Sequence, residues 1–192
     1  EMVAKWSGNT CTSENASASQ DTSTQRQFIN VYGPTEATVF TTASSHLLPG
    51  EPVSIGMPIR HRQVAIVNSW LELLPEGATG ELCILGRGVA RGYLNAPPAA
   101  QNFIAPGQIK GLPNDYLASP LTNKRAYRTG DLVRFNADWQ LEFMGRNDDQ
   151  VKVRGFRIEL GEVENRVSQL ASIQSSLVVT QTHESGEKLL VA

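Results

Sequence analysis

The chain has 192 residues, enough for one domain with its own core or for two small lobes. Its 40% apolar and 19% charged residues are typical of a globular protein, and its net charge of -2 offers no basic surface for nucleic acid. No apolar run approaches a membrane span, and no secretory leader opens the chain. Two cysteines are too few for a disulfide framework. We therefore expect a soluble, cytoplasmic protein that binds neither nucleic acid nor membrane.

The first elements predicted are a helix, an insertion and a strand. Residues 1–6 have roughly helical apolar spacing, and residues 7–25 are so rich in Ser, Thr, Asn and Gln that they predict a flexible insertion. Residues 28–32 predict a short buried strand that stops at a Gly-Pro pair. Residues 35–40 predict the start of a helix or an extended loop.

Residues 50–146 have the pattern of an all-β region. Its strands are predicted from short apolar or alternating runs bounded by turn residues. These runs are residues 63–67, 81–86, 132–135 and 141–143. The last two flank Asn-Ala-Asp, a hairpin signal, and residues 105–125 predict a long loop. Cys83 lies in an apolar run, which favours a reduced core thiol.

The pattern changes after the polar segment at residues 145–149. Residues 150–154 and 156–159 predict two strands around a glycine, and a helix follows. The apolar face of that helix consists of Leu160, Val163, Val167 and Leu170. Residues 176–181 predict a strand and residues 184–186 a turn, so this part of the chain predicts a small ββαβ lobe.

Residues 30–36, with the sequence NVYGPTE, combine groups that a nucleoside triphosphate site needs. Such a site needs a flat apolar surface for the base, donors for phosphate and a carboxylate for Mg²⁺. Tyr32, Thr35 and Glu36 supply one of each. Alone, the pattern is more typical of a strand that ends in a Gly-Pro turn.

Three more signatures follow: in chain order, the second is residues 80–94, the third is residues 127–131 and the fourth is residues 145–164. Residues 127–131, YRTGD, place an Asp on a turn at a strand start, where it can accept both ribose hydroxyls, although alone a turn-stabilising Asp is more common. Residues 80–94 carry glycines that indicate close packing, so we interpret them as structural. Residues 145–164 are charged and join two lobes, a typical place for a hinge.

Other kinds of site are not legible. The sequence has no phosphate-binding P-loop, and the glycines at residues 86–92 have the wrong spacing for a dinucleotide fingerprint. The three histidines, His46, His61 and His183, are too far apart in sequence to show metal-ligand spacing.

Together, in this order and spacing, the four signatures resemble the adenylation domains of nonribosomal peptide synthetases, in the superfamily that includes acyl-CoA ligases and firefly luciferase. The resemblance runs from about residue 28 to residue 192, and residues 1–6 look like the family's preceding helix. It implies a two-lobed α/β fold. Residues 1–147 would finish the large lobe, with a β-barrel-like part at residues 50–146, and residues 148–192 would begin the small lobe.

The resemblance also implies roles for the first signature. Tyr32 would stack on adenine, Thr35 would contact the α-phosphate and Glu36 would coordinate Mg²⁺. Asn30 and Gly33 belong to the same nucleotide-binding signature. Thr35 and Glu36 would therefore be the catalytic pair.

Later residues have implied roles of other kinds. Asp131 would bind the ribose hydroxyls with help from Arg146. Asp148 would be the hinge, and Gly155 would lie on the loop that lets a thiol approach. The substrate side-chain pocket would include Val31, Val39 and Phe40.

The implied reaction is ATP-dependent activation of an amino acid as aminoacyl-AMP, followed by transfer to a phosphopantetheine thiol. The implied partners are a peptidyl carrier domain and a condensation domain of the same synthetase. Glu1 in place of methionine and an apolar C-terminal run lead us to expect a fragment. The family's phosphate loop and the acidic residue that binds the substrate amino group would precede it, and the catalytic lysine would follow it. We therefore expect the isolated chain not to turn over.

Two alternatives remain. An acyl- or aryl-CoA ligase of the same superfamily is the closer one, although the NVYGPTE and VKVRGFRIELGEVE sequences favour a peptide synthetase. The other is a non-catalytic module that binds nucleotide without reacting, which a polar insertion and missing ends would permit.

Overall fold

The computed structural model describes residues 28–47, 50, 52–95, 102–114, 116, 125–183 and 187–192. The helix predicted at residues 1–6, the insertion at 7–25 and the turn at 184–186 lie outside the described residues. The chain divides by its contacts into two compact units, Glu1–Gly145 and Arg146–Ala192. The lobe boundary after residue 147, and the barrel-like closure of residues 50–146, stay predictions.

The first unit contains two β-sheets. A three-stranded antiparallel sheet has the order β1-β2-β3, and a larger sheet has the order β4-β5-β7-β6 with β8 paired to β7. The strands are β1 (Ile29–Tyr32), β2 (Thr42–His46), β3 (Met57–Pro58), β4 (Arg62–Val67), β5 (Gly80–Gly86), β6 (Phe103–Ile104), β7 (Ala126–Phe135) and β8 (Leu141–Arg146). A 3-10 turn, Pro106–Gln108, interrupts the predicted long loop. The described residues of the predicted all-β region therefore form mainly β-strands.

Strand β5 lies between β4 and β7 in the larger sheet, and each of its residues is buried. Because side chains alternate along a strand, its two faces serve two different cores. Leu82 and Ile84 pack in one apolar cluster, and Cys83 and Leu85 pack in the other. Cys83 is a buried free thiol, which confirms its predicted core position.

One of these cores connects the first signature to the third. Ala37, which follows Glu36, is fully buried in the same cluster as Tyr127 and Val133 of β7, and Tyr32 packs against that cluster. Burial of this apolar surface therefore fixes the two signatures beside each other, although they are far apart in sequence.

The burial predicted for residues 28–32 is wrong. Strand β1 forms there, but Phe28, Ile29 and Val31 are 47%, 54% and 40% exposed. The strand is at the edge of its sheet, and β2 is its only neighbour in the order β1-β2-β3 of the described strands. Its apolar character therefore predicts a strand correctly without predicting which face is covered.

The second unit has two hairpins around one helix. The elements are β9 (Gln150–Val153), β10 (Phe156–Glu159), α1 (Leu160–Ser168), β11 (Val179–Thr182) and β12 (Lys188–Val191). Strands β9 and β10 pair antiparallel, as do β11 and β12. The strand predicted at residues 176–181 thus lies slightly later in the chain, and the unit is ββαββ.

The predicted helix is shorter than its apolar pattern. It ends at Ser168, with Gln169 as its C-cap, so Leu170 lies beyond the helix and is 58% exposed. The backbone N–H of Leu170 donates to the carbonyl of Val167, and that of Ile173 donates to the carbonyl of Leu170. These three-residue turns replace the helical ladder, which ends the periodicity. No helix in the described part of the chain combines the length and apolar composition that crossing a bilayer requires.

Candidate active site

The centre of the candidate site is a contact between the first and third signatures. The hydroxyl of Tyr32, at the end of β1, donates a hydrogen bond to Oδ2 of Asp131 in β7. Tyr32 is half-buried, and Asp131 is 8% exposed. An aromatic ring and a buried carboxylate therefore meet at one place. This is the pair of groups that the sequence assigned to the base and the ribose.

A bulge in β7 presents Asp131. Glu81 of β5 lies opposite Leu132, and Cys83 lies opposite Arg128, so residues 129–131 of β7 face a single residue of β5. Gly130 has a φ of +73°, a left-handed conformation that glycine adopts without steric cost. The prediction that Asp131 lies on a turn at a strand start is wrong. The glycine makes a bulge inside a long strand because hydrogen bonds continue on both sides of it.

Glu36 lies on a short 3-10 turn, Thr35–Ala37, and is 8% exposed. Its backbone carbonyl accepts from the N–H of Ala90 at 2.8 Å, and its carboxylate Oε1 accepts from the hydroxyl of Tyr93. Both partners belong to residues 80–94, which the sequence led us to interpret as structural. Tyr93 is therefore a site residue that the sequence reasoning missed.

Tyr93 holds its proton firmly. Burial raises the pKa of its phenol, and the hydrogen bonds to Glu36 and Tyr127 raise that pKa further. Its ring contacts Phe103 edge-on, with centroids 5.4 Å apart, and Phe103 in turn contacts Tyr127 at 5.0 Å. The aromatic packing holds the phenol in place as a hydrogen-bond donor to the carboxylate of Glu36.

The side chains near Glu36 fit a magnesium ion that takes one carboxylate from the protein and its other oxygen ligands from phosphate and water. The described residues contain no group of three or more His, Cys, Asp or Glu side chains arranged around a metal position. Mg²⁺ usually takes one or two protein carboxylates and completes its shell with phosphate oxygens and water. A single ordered carboxylate such as that of Glu36 is compatible with this chemistry.

The other residues of the first signature have different surroundings. The side-chain amide of Asn30 donates to the carbonyl of Ser54 at 2.7 Å, so it ties β1 to the neighbouring chain segment. Thr35 is exposed. A Cβ on Gly33 would lie 2.4 Å from the carbonyl oxygen of Val39, so the turn needs glycine for close backbone approach. Their contacts to nucleotide stay predictions.

The three predicted pocket residues are exposed. Val31, Val39 and Phe40 are 40%, 62% and 40% exposed. Thr38 and Val39 have φ of +58° and +62°, which is uncommon and costly for β-branched residues. The hydroxyl of Thr38 donates to the carbonyl of Gly88 at 2.7 Å and helps to hold this conformation. The pocket assignment stays a prediction.

In the second unit, Arg146 and Asp148 form a bidentate ion pair. The Arg146 Nε lies 2.7 Å from Oδ1 of Asp148, and a terminal nitrogen of its guanidinium lies 2.6 Å from Oδ2. Gly155 follows Arg154 in the β9–β10 turn, with φ of +84° and +50°, values that a two-residue hairpin favours. The predicted ribose-contacting arginine and hinge aspartate are therefore each other's partners.

Comparison with known proteins places this geometry in a family. A family model described as "AMP-binding enzyme" matches residues 3–94. The chain is 45% identical over 172 residues to a linear gramicidin synthase of Brevibacillus parabrevis, a match that covers 88% of this chain and 2% of the relative. It is 43% identical over 166 residues to bacitracin synthase 3 of Bacillus licheniformis, which covers 86% and 2%. The chain belongs to the AMP-binding enzymes.

Within the AMP-binding enzymes, the fold is similar to solved adenylation structures of nonribosomal peptide synthetases (NRPS). PA1221, an NRPS protein with adenylation and PCP domains, aligns with a TM-score of 0.68 and 29% identity, over 87% of this chain and 32% of that one. An artificially fused adenylation-PCP di-domain NRPS from Klebsiella oxytoca aligns with a TM-score of 0.63 and 26% identity, over 87% and 30%. The expected sheet-rich α/β adenylation fold is confirmed.

This AMP-binding segment corresponds to a small part of its relatives. It spans about 2% of the length of the two curated synthases and 32% of the length of PA1221. Its signatures predicted Tyr32, Glu36 and Asp131 as site residues through their chemistry. Tyr93 carried no such signal, because its contact to Glu36 joins positions separated by 57 residues.

Proposed function

We propose that the protein to which this segment belongs activates an amino acid with ATP and passes it to a thiol. A carboxylate oxygen of the amino acid attacks the α-phosphorus of ATP, the bond to the β-phosphate breaks, and aminoacyl-AMP and pyrophosphate form. A phosphopantetheine thiol then loses its proton and attacks the acyl carbon. A thioester forms, and AMP leaves. The observation that carries this proposal is the contact between Tyr32 and Asp131.

The nucleotide half of the proposal assigns one group to each part of ATP. The ring of Tyr32 stacks on adenine, and the carboxylate of Asp131 accepts the ribose hydroxyls, with Arg146 assisting. The exposed hydroxyl of Thr35 donates to the α-phosphate. Asn30 and Gly33 shape the same strand end. Support comes from the burial of Asp131, because a buried carboxylate favours partners that donate hydrogen bonds.

Glu36 is the residue of this chain that would hold Mg²⁺. When bound, the ion neutralises the negative charge that collects on the phosphate oxygens. The hydroxyl of Tyr93 orients the carboxylate of Glu36, and the N–H of Ala90 holds the backbone carbonyl of the same residue. Thr35 and Glu36 would thus act as the catalytic pair, one as phosphate donor and the other as metal ligand.

The remaining assignments concern the acyl group and the partners. Val31, Val39 and Phe40 contribute an apolar part of the amino-acid pocket. Asp148 is the hinge, and Gly155 lies on the loop that the thiol passes. A peptidyl carrier domain presents that thiol, and a condensation domain uses the product. The carrier is supported by the adenylation-PCP architecture of the solved relatives.

Substrate-dependent ATP–pyrophosphate exchange with the full-length protein tests this function. The panel contains amino acids, aryl acids and fatty acids. We expect exchange with an amino acid, and thioester formation on a carrier rather than on free coenzyme A. Exchange with aryl or fatty acids alone would instead support a CoA ligase. Binding of ATP without exchange for any acid would support a non-catalytic nucleotide-binding module.

A further inference from the structure

The bulge that presents Asp131 is held by one buried carboxylate. Glu81, on β5, is 5% exposed. Its Oε2 accepts from Arg128, with Nε at 3.1 Å and a terminal guanidinium nitrogen at 2.6 Å, and its Oε1 accepts from the backbone N–H of Gly130 at 3.1 Å. Glu81 therefore contacts the bulge at two points, on either side of Thr129.

A second pair of hydrogen bonds continues this support to Asp131. The hydroxyl of Thr129 donates to the carbonyl of Leu82 at 2.9 Å and accepts from the backbone N–H of Asp131 at 3.0 Å. Thr129 is 3% exposed. Two adjacent residues of β5, Glu81 and Leu82, thus anchor the four residues of β7 that end at Asp131.

The charges show that this arrangement is specific. A buried carboxylate costs free energy unless it is paired and hydrogen-bonded, and Glu81 has both kinds of partner. The same contact raises the pKa of the Arg128 guanidinium, which therefore keeps its positive charge beside Glu81. An apolar pair would pack at this position without orienting a backbone N–H. The arrangement therefore controls the direction of the bulge.

We propose that Glu81 is a positioning residue for ribose recognition, which acts through the bulge at residues 129–131 to aim the carboxylate of Asp131. The proposal rests on the proposed function, in which Asp131 accepts the ribose hydroxyls. Glu81 itself does not touch the nucleotide. Its removal changes the selectivity for ribose hydroxyls, whereas a general loss of packing weakens binding of every nucleotide alike.

The test compares binding of ATP and of 2′,3′-dideoxy-ATP to the full-length protein. We expect the wild-type protein to prefer ATP by about tenfold or more, since hydrogen bonds to a charged acceptor supply that discrimination. Glu81→Gln keeps the volume and removes the charge. It should lower this preference by about threefold or more through weaker ATP binding, with dideoxy-ATP binding unchanged.

Glu142→Gln is the matched control. Glu142 of β8 pairs with Arg134 of β7 at 2.8 Å, outside the bulge. The substitution therefore removes an ion pair to the same strand without changing a contact of the bulge. This variant should keep the wild-type preference. If Glu81→Gln does not fold, Arg128→Lys replaces it, because a single ammonium cannot make both bonds of the guanidinium. Arg128→Lys should also lower the preference for ATP over dideoxy-ATP.

Two results overturn the inference alone. One is that Glu81→Gln prefers ATP over dideoxy-ATP as strongly as the wild type does. The same holds for Arg128→Lys where that variant replaces Glu81→Gln. The other is an equal loss of affinity for both nucleotides. In both cases Asp131→Asn still abolishes the preference, so the proposed function stands. A wild-type protein that does not distinguish the two nucleotides overturns the ribose assignment of Asp131, and with it the inference.

Discussion

At the scale of single residues, the hydroxyl of Tyr93 is the contact most open to test. Tyr93→Phe keeps the ring that packs on Phe103 and removes the donor to Glu36. We expect the Mg²⁺ concentration that half-saturates nucleotide binding to rise by about three- to tenfold, because an unoriented carboxylate binds the ion less well. Equilibrium binding of a fluorescent ATP analogue, titrated with Mg²⁺, measures this.

Tyr116→Phe is the control for this substitution. Tyr116 packs beside the other apolar cluster, away from Glu36, so its variant should keep the wild-type Mg²⁺ dependence. An unchanged Mg²⁺ dependence in Tyr93→Phe would show that the hydroxyl does not orient Glu36.

The buried thiol of Cys83 should make the free energy of unfolding depend on pH. Burial raises its pKa from 9.0 to about 12, so the folded protein keeps the proton while the unfolded chain loses it. The thiol favours folding fully below pH 9, and this contribution is lost as pH rises from 9 to about 12. The free energy of unfolding should fall over that range by up to about 1.4 kcal/mol per pH unit on its account.

Cys83→Ala isolates this contribution. Urea unfolding of both proteins at several pH values above 9 should give a shallower decline for the variant than for the wild type. Parallel declines would contradict the buried, protonated thiol.

The sequence predicted site residues by chemistry and missed those that act through contacts. Tyr32, Glu36 and Asp131 each carry a group that a nucleotide or its metal needs. Tyr93 and Glu81 were not predicted, because an ordinary tyrosine and an ordinary strand glutamate become informative only when the fold brings Glu36 or Gly130 to them. Tertiary packing supplies that information, and no local pattern contains it.

At the scale of elements, the turn after β1 depends on backbone contact. A Cβ at Gly33 would lie 2.4 Å from the carbonyl oxygen of Val39 and 2.8 Å from the backbone nitrogen of Thr41. Gly33→Ala should therefore lower the free energy of unfolding by about 1–3 kcal/mol, since backbone atoms must shift to admit it. It should also weaken ATP binding, because Tyr32 is adjacent. Urea unfolding and nucleotide titration measure the two effects.

Gly107→Ala is the matched substitution for that test. No atom lies within 4 Å of a Cβ at Gly107, so alanine fits there without collision. We expect wild-type stability and nucleotide binding. Equal stability of the two alanine variants would contradict the close approach at Gly33.

Strands were predicted well where their turns are local. The β7–β8 and β9–β10 hairpins follow from alternating runs around polar or glycine turns, and both are present. The bulge at residues 129–131 was mistaken for a strand start, because a glycine in a strand and a glycine in a turn look alike in sequence. The two cases differ in strand pairing: a bulge has paired residues on both sides of the glycine, and a strand start has them on one side only.

At the scale of the whole molecule, the composition change near residue 145 predicted two parts, and the contacts divide the chain at Gly145 and Arg146. No sequence pattern predicted that Arg146 and Asp148 pair with each other at the start of the second unit. Roles for these two residues rest on the proposed hinge and ribose contacts. The hinge role of Asp148 concerns motion between conformations, which a pattern of charges does not specify.

In the proposed function, the strand end at Tyr32 and the bulge at Asp131 form one nucleotide site. A crystal structure of the full-length protein with AMP bound measures this directly. We predict adenine stacked on the ring of Tyr32 and both ribose hydroxyls within hydrogen-bond distance of the Asp131 carboxylate. AMP bound elsewhere, with no contact to either side chain, would contradict the claim.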